Sequence, residues 1–285
     1  MILVDTNQVL VAGIMHDLKG MKKNESINES LVRHIVLNCL RSYRRMYGQK
    51  YGDLVVCCDN SKYWRKDFFP YYKAHRRSAR EASGFDWQAI FTFMRKIRTE
   101  LAEFGPYKVL DVAGAEADDV IAALAIKYAP HESIMIISSD KDFTQLQSKH
   151  AEIAQYSPIM QRMVKSSDPL AYMKEHIIRG DRGDGIPNIL SSDTTFVSGE
   201  RQKVINSKKL AQWLKQDPEQ FCENDAMLRG WKRNETLINF DFIPKDIIAS
   251  IYDRFDNTTT TSKKAFLNYL MENRLGELMK VVDEF

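Results

Sequence analysis

The sequence has no run approaching the roughly 18–20 apolar residues of a membrane-spanning helix, so no membrane association is expected. It opens on the aliphatic run ILVD, without the charged and apolar segments of a signal peptide, and none is expected. Cysteine is scarce. Cys39, Cys57, Cys58 and Cys222 lack metal-type pairing and have apolar neighbours, which points to buried thiols in a reducing cytoplasm. Neither GxGxxG nor a Walker-type loop occurs, which removes the common phosphate cradles of small-molecule enzymes. No internal repeat is present. Net charge is only +3, so nucleic-acid binding has no support from global charge and must be sought in its distribution. The 285 residues, 44% hydrophobic, suffice for one large or two modest cores.

What is present in excess is acid, in few places. GAEADD at 114–119 and SSDKDF at 138–143 put Glu116, Asp118, Asp119, Asp140 and Asp142 on either side of one helix–strand unit. Such crowding calls for a positive partner, and hard divalent cations are held by carboxylates in this way. The helix after Glu116 also offers a simpler account, because acids are stabilised in a first turn. Asp140 and Asp142, two apart on an extended strand end, are expected to point to one side.

Two further acids end aliphatic runs. Residues 2–4 lead into Asp5, Thr6 and Asn7, read either as a strand end or as the cap of a helix over 9–15. A polar linker is expected over 16–28, then a helix through Leu31–Tyr43 spacing that stops at Gly48. Residues 53–58 lead into Asp59. Strands alternating with helices, with further strands at 108–112 and 134–137, predict an α/β fold with a mostly parallel central sheet flanked by helices. Ligands of such sheets sit beyond the carboxyl ends of the strands, where these acids fall. Short strands are expected near 152–156 and 162–165. The tail reads as a smaller C-terminal helical domain, with helices from Pro169 through Ile178 and over 210–214, 221–228, 247–255 and 265–279. The expected division is 1–165 and 166–285. Within the tail, Asp181 and Asp184 lie in a glycine-rich turn whose plainest reading is a surface turn.

Residues 62–80 carry Lys62, Arg65, Lys66, Lys73, Arg76, Arg77 and Arg80 against one acid, a local net charge of +6, interleaved with six aromatics. Cations that track a phosphate backbone, with aromatics that stack on bases, are what single-stranded or frayed nucleic acid requires. A solvated face with aromatics packed inward is the bland alternative. Pro70 breaks any single helix here and favours a mobile arch or loop. Lys203, Lys208 and Lys209 offer a second backbone contact. Asp5, Asp59, Glu116, Asp118, Asp140, Asp142, Asp181 and Asp184, with no histidine or cysteine ligand evident, form an oxygen-only set that selects magnesium or manganese over zinc. Two such ions suit phosphodiester hydrolysis.

The ordered series ILVDTN, VVCCDN, GAEADD, SSDKDF and GDRGD, with the YWRKDF basic stretch, resembles the structure-specific 5′ nucleases, or flap endonucleases, including their bacteriophage-encoded members. The resemblance implies a PIN-like nuclease core with a basic arch at 62–80. It implies a 5′→3′ exonuclease acting on RNA–DNA hybrids and duplex DNA, with ribonuclease H and flap endonuclease activity, in primer removal during DNA replication. Carried over, Asp5, Asp59, Glu116, Asp118 and Asp140 would surround a first magnesium, with Asp119 placed beside them. Asp142, Asp181 and Asp184 would hold a second. Lys73 and Arg76 would face the scissile phosphate as catalytic cations, with Tyr72 as a stacking partner. A single-strand-binding protein and a sliding clamp are expected partners of a monomer in the cytoplasm, that of a host cell if phage-encoded. The family's helix-three-turn-helix falls near 170–215, but the segment after the GDRGD turn lacks its repeated glycines. Duplex contact is expected from 192–209, and a bound potassium is not. A PIN-type single-stranded ribonuclease and a non-catalytic nucleic-acid-binding factor are the competing readings. The first is shorter and lacks the second acidic turn, and the second would have lost acids.

Overall fold

The computed structural model describes residues 1–20, 28–81, 83 and 85–285, without the side chains of 15–20 and 77–79. The first half alternates strand and helix: β1 (Ile2–Asp5), α1 (Thr6–Gly20), α2 (Glu29–Tyr51), β2 (Leu54–Cys58), α3 (Trp64–Phe68), α4 (Arg76–Glu81), α5 (Trp87–Phe104), β3 (Lys108–Asp111), α6 (Ala117–Tyr128) and β4 (Ile134–Ile137). A 3-10 segment, Lys141–Ser148, leads to β5 (Ile153–Ser157) and β6 (Arg162–Val164). The six strands lie in the order β3-β2-β1-β4-β5-β6, all parallel except β6. The order reverses between β1 and β4, where Val4 pairs with Ile137.

The strand residues alternate strictly between two cores. Ile2, Val4, Leu54, Val56, Cys58, Val109, Met135 and Ile137 face α1, α2 and α5. Leu3, Val55, Cys57, Leu110, Ile134 and Ile136 face α6. Covered on both faces, the strands read as continuous aliphatic runs, as buried parallel strands do. Each fully buried Leu or Ile contributes about 1.5–3 kcal/mol.

Helices α7 (Pro169–Arg179), α8 (Ser207–Trp213), α9 (Pro218–Phe221) and α10 (Asp225–Ile238) enclose a third core with Trp213, Phe221 and Trp231. Helices α11 (Lys245–Asn257), α12 (Lys263–Glu272) and α13 (Gly276–Met279) return to the sheet, Ile251 on one face and Phe266, Leu270 and Leu278 on the other.

Several boundaries differ from expectation. Gly48 does not stop α2; the stop is Gly52, at φ +79°, where glycine is the residue without steric penalty. Residues 16–20 of the expected linker belong to α1, and 21–27 lie outside the described residues. The single helix expected over 265–279 is two, parted at Arg274 with φ +57°, and the one over 221–228 is broken before Asn224, the cap of α10.

Candidate active site

β1 carries Asp5 to the sheet's switch point, the crevice where open α/β sheets bind ligands. Both sequence readings of Asp5 hold at once. It ends the strand, and its Oδ1 accepts from the Gln8 backbone N–H (3.3 Å) at the start of α1. Its Oδ2 accepts from the Ser138 hydroxyl (2.9 Å) at the end of β4, so one carboxylate ties both strand ends together. Asp59, beyond β2, accepts from Asn7 Nδ2 (2.6 Å) and from the Ala117 N–H (2.8 Å) at the start of α6. Arg98 of α5 braces the same corner, donating to the Asp59 carbonyl (3.2 Å) and pairing with Asp111 (3.1 Å).

Asp118, in the first turn of α6, and Asp140, beyond β4, complete this group. Asp140 and Asp142 do not alternate on an extended end. Asp140 caps the 3-10 segment, accepting from the Asp142 N–H (2.9 Å), and both carboxylates still face the charges of Asp181 and Asp184. The Asp5 carboxyl is pushed up to about 7, by burial first and the Asp59 charge second. Asp118 is raised well above the usual carboxylate range by burial, then by Asp5 and Asp140. Burial also raises Asp140, and burial with the charge of Asp140 raises Asp142. Burial and mutual repulsion, not a partner cation, set these shifts, and perturbed acids gathered in a crevice are characteristic of functional sites.

A second group forms where α7 crosses the 3-10 segment. His176 Nε2 lies 3.4 Å from both Asp142 Oδ1 and Asp181 Oδ2, and the three residues can offer ligand atoms within 4.8 Å of one another. The sequence showed no histidine associated with these acids, and in the fold His176 lies among them. Burial acts to lower the His176 imidazole, but Asp181 and Asp142 outweigh it and hold it up at about 9.

The third group joins the basic stretch to the acids. Lys73 Nζ donates to Glu116 Oε1 (2.7 Å) and lies 3.5 Å from Asp184 Oδ2, while Arg76 pairs with Asp184 at 2.5 Å. Lys73 itself sits at φ +56°, a conformation uncommon outside glycine and found at functional sites, and its N–H bonds the Asp184 carbonyl (2.7 Å).

Three expectations are corrected here. Arg65 does not reach out to a phosphate backbone; it is 2% exposed and is spent on Leu237 O (2.9 Å), Glu116 (3.0 Å) and Asp119 (2.7 Å). Asp119 is no candidate ligand, because Arg65, the Trp64 indole N–H and the Glu116 N–H take up its carboxylate inside the fold. Tyr72 is no stacking platform: at 2% exposure its ring packs in the third core and its hydroxyl meets Asp184 (2.6 Å). Aromatics that bind the core and those that could meet a base look alike in sequence. Lys62, Lys66, Lys203, Lys208 and Lys209 are exposed, Lys209 pairing with Glu223 at 3.2 Å. Arg80 lies over the Phe91 ring at 4.9 Å. The Arg77 side chain lies outside the described residues.

His176, Gln8, Ser138 and Arg98 escaped the sequence reading. Ser138 and Gln8 sit inside or beside the quoted motifs and were discoverable there; nothing local marks His176. A cavity of about 210 Å³ opens beside Asp59, lined by Asn7, Asn60, Phe91, Arg95 and Arg98. A larger one, about 460 Å³ around Asp53, Tyr107 and Lys108, lies at the opposite ends of the strands and has no part in this chemistry.

An acidic crevice at the switch point, flanked by a basic segment, defines a nuclease-like site. Residues 1–177 match the 5′-3′ exonuclease N-terminal resolvase-like domain, and residues 167–285 match the T4 RNase H C-terminal domain. The chain belongs to the 5′-3′ exonuclease family and is a nuclease. It is 33% identical to the ribonuclease H of Enterobacteria phage T4 over 99% of this chain and 95% of that protein. Its identity to flap endonuclease Xni of a Shewanella species is 29%, over 58% of this chain and 62% of that protein. A bacteriophage T5 flap endonuclease in a pseudo-enzyme–product complex with DNA and metal ions shares the fold, with TM-score 0.60 and 17% identity over 90% of this chain and 97% of that one. The T5 5′-exonuclease with bound zinc ions matches at 0.59 and 15% over 91% and 99%. No helix among the described residues is long and apolar enough to cross a membrane.

Proposed function

We propose that this nuclease is a magnesium-dependent 5′→3′ exonuclease and flap endonuclease that hydrolyses phosphodiester bonds in RNA–DNA hybrids and duplex DNA, and that it removes RNA primers during lagging-strand replication. The observation that carries the reading is the meeting of Asp5, Asp59, Asp118 and Asp140 at the switch point, with Lys73 and Arg76 on the flank of the crevice. The names of the relatives, ribonuclease H and flap endonuclease, support the choice of hybrid and flap substrates.

The donor set suits a hard divalent ion: carboxylate oxygens dominate, and burial keeps the neighbouring thiols of Cys57 and Cys58 protonated. Asp118 has no hydrogen bond or ion pair among the described residues, although its carboxyl faces Asp5 and Asp140. Asp5, Asp59, Glu116, Asp118 and Asp140 would hold one magnesium, and Asp142, Asp181 and Asp184 a second, with manganese able to substitute. The pair would supply a water deprotonated near neutral pH and neutralise charge on the scissile phosphate.

The chain's own groups prepare that event. Ser138 and the Gln8 N–H fix the Asp5 carboxylate, while Asn7 and the Ala117 N–H fix Asp59, so both are oriented before substrate enters. Lys73 and Arg76 present cations to phosphate oxygens as charge builds. Lys62, Lys66, Lys203 and Lys208 lie free to follow the backbone of the strand. The chain would act as a monomer alongside a single-strand-binding protein and a sliding clamp.

The test offers 5′-labelled RNA–DNA hybrid, nicked duplex, flap and single-stranded RNA with magnesium. Release of short 5′ products from the hybrid and cleavage at the flap junction are expected. Cleavage of single-stranded RNA alone would replace the proposal with a PIN-type ribonuclease.

A further inference from the structure

The geometry points to His176 as a nitrogen ligand of the second metal position, which would then prefer a first-row transition ion over magnesium to a degree that carboxylates alone do not give. The inference rests on the metal-dependent reading above and goes beyond it, since that reading needs oxygen donors only.

Three features of the site carry it. His176 Nε2 is equidistant, at 3.4 Å, from one oxygen of Asp142 and one of Asp181. Those separations exceed a good hydrogen bond, and Nε2 is buried without a hydrogen-bond partner. Two ligand atoms each about 2.0–2.2 Å from one metal, at a near-tetrahedral angle, stand roughly 3.4 Å apart. A buried nitrogen facing two carboxylates at ligand–ligand rather than hydrogen-bond separation is completed by a shared cation.

The ring is also held in place. Tyr172, one turn earlier on α7, stacks on the imidazole with 6.0 Å between centroids and 13° between planes. Asp142 belongs to the segment capped by Asp140, and Asp181 follows Gly180, whose φ of +68° turns the chain back beneath α7. Three separate elements therefore bring one donor each. Imidazole favours cobalt, iron, nickel and zinc, whereas magnesium keeps to oxygen, so a nitrogen in the ring of donors shifts selectivity.

The competing account makes His176 a positioning residue that steers Asp181. The experiment separates them with the full chain loaded with Mn2+, observed by electron spin-echo modulation, which detects a coordinated imidazole nitrogen without reference to activity. Nitrogen modulation is expected in the wild type and in His75→Gln, and its loss in His176→Gln. Titration with Co2+ should show a loss of affinity on the order of ten-fold or more in His176→Gln, with Mg2+ affected far less. Bound Mn2+ without nitrogen modulation in the wild type, modulation that survives in His176→Gln, or equal losses for Co2+ and Mg2+ would each overturn the assignment and leave the metal-dependent reading standing. Absence of any Mn2+ binding would overturn both.

Discussion

Lys73 Nζ donates to Glu116 Oε1 at 2.7 Å, so the cation assigned to the scissile phosphate rests in the acidic site instead of in solvent. Its ammonium is held above its usual range: burial opposes the charge, but Asp184 and Glu116 overcome it. Lys73 therefore stays charged at any working pH, and its contribution should lie in the reaction, not in docking. Lys73→Ala is expected to slow hybrid cleavage by roughly 100-fold while the affinity for duplex changes less than about three-fold. Single-turnover rates and fluorescence anisotropy on one substrate measure the two. Equal losses would make Lys73 an anchor only.

Asp118 gives opposite signs in two measurements. Its carboxyl lies beside Asp5 and Asp140, which outweigh the opposing charge of Lys73, so replacing it with an amide relieves burial cost and repulsion in the metal-free protein. Asp118→Asn should raise the Tm in chelator by roughly 2–4 °C, about 1 kcal/mol for a chain of this size, while abolishing magnesium-dependent cleavage and leaving substrate binding largely intact. Asp140→Asn should likewise abolish cleavage. Full activity in both variants would remove the basis for the metal site.

The metal-free protein should lose stability as pH rises from about 4 to about 7. Asp5 keeps its proton in the folded chain up to about 7, whereas its ordinary value is 3.8, so across this window the native state binds more protons than the unfolded one. Stability then falls with pH. His176, held up at about 9, extends the decline above neutrality, because it too holds its proton longer when folded. Magnesium needs the carboxylates deprotonated and should flatten or reverse the slope. Melting curves from pH 4.5 to 7.5, with chelator and with magnesium, provide the check, and Asp5→Asn should blunt the metal-free slope.

Arg65 should behave as a core residue despite its place in a basic run. It is buried between Glu116, Asp119 and the Leu237 carbonyl, so it links the basic segment, α6 and α10. Arg65→Met leaves two buried carboxylates short of their cation, an effect of about 3–5 kcal/mol. Denaturant titration should show that loss. If the variant stays folded and loses only affinity for nucleic acid, the burial assigned to Arg65 is wrong.

The parts of this site that were legible in sequence are those where local pattern and global position coincide. An aliphatic run ending in an acid fixes both the strand and the edge from which Asp5 or Asp59 projects, because parallel sheets gather their carboxyl ends on one side. Glu116, Asp118 and Asp119 were legible as acids in or just before the first turn of α6, where Glu116 is the cap. What stayed hidden depends on packing between distant segments. A lone histidine in α7 has no mark that distinguishes it from a solvated one until the 3-10 segment is laid against it. Arg65 and Tyr72 alternate with exposed neighbours in a stretch whose short helices were not anticipated, so the sequence could not say which side each takes. For Asp140 and Asp142 the extended strand end was wrong, because a cap follows β4, while both carboxylates still face Asp181 and Asp184.

Lys208 and Lys209 are adjacent in α8, both exposed, and differ in one respect: Lys209 already pairs with Glu223 at 3.2 Å. If this face meets the duplex backbone, Lys208 is the freer donor to a phosphate. Each phosphate contact releases counterions, so losing one lowers the slope of log affinity against log salt by about 0.9. Lys208→Ala should show that change together with weaker duplex binding, and the cleavage rate at saturating substrate should stay as it was. Lys209→Ala should show a smaller one, since the free Glu223 carboxylate adds repulsion but the lysine gave up part of its charge to begin with. Binding isotherms at four salt concentrations decide it. Slopes identical to wild type in both variants would move the duplex contact off α8.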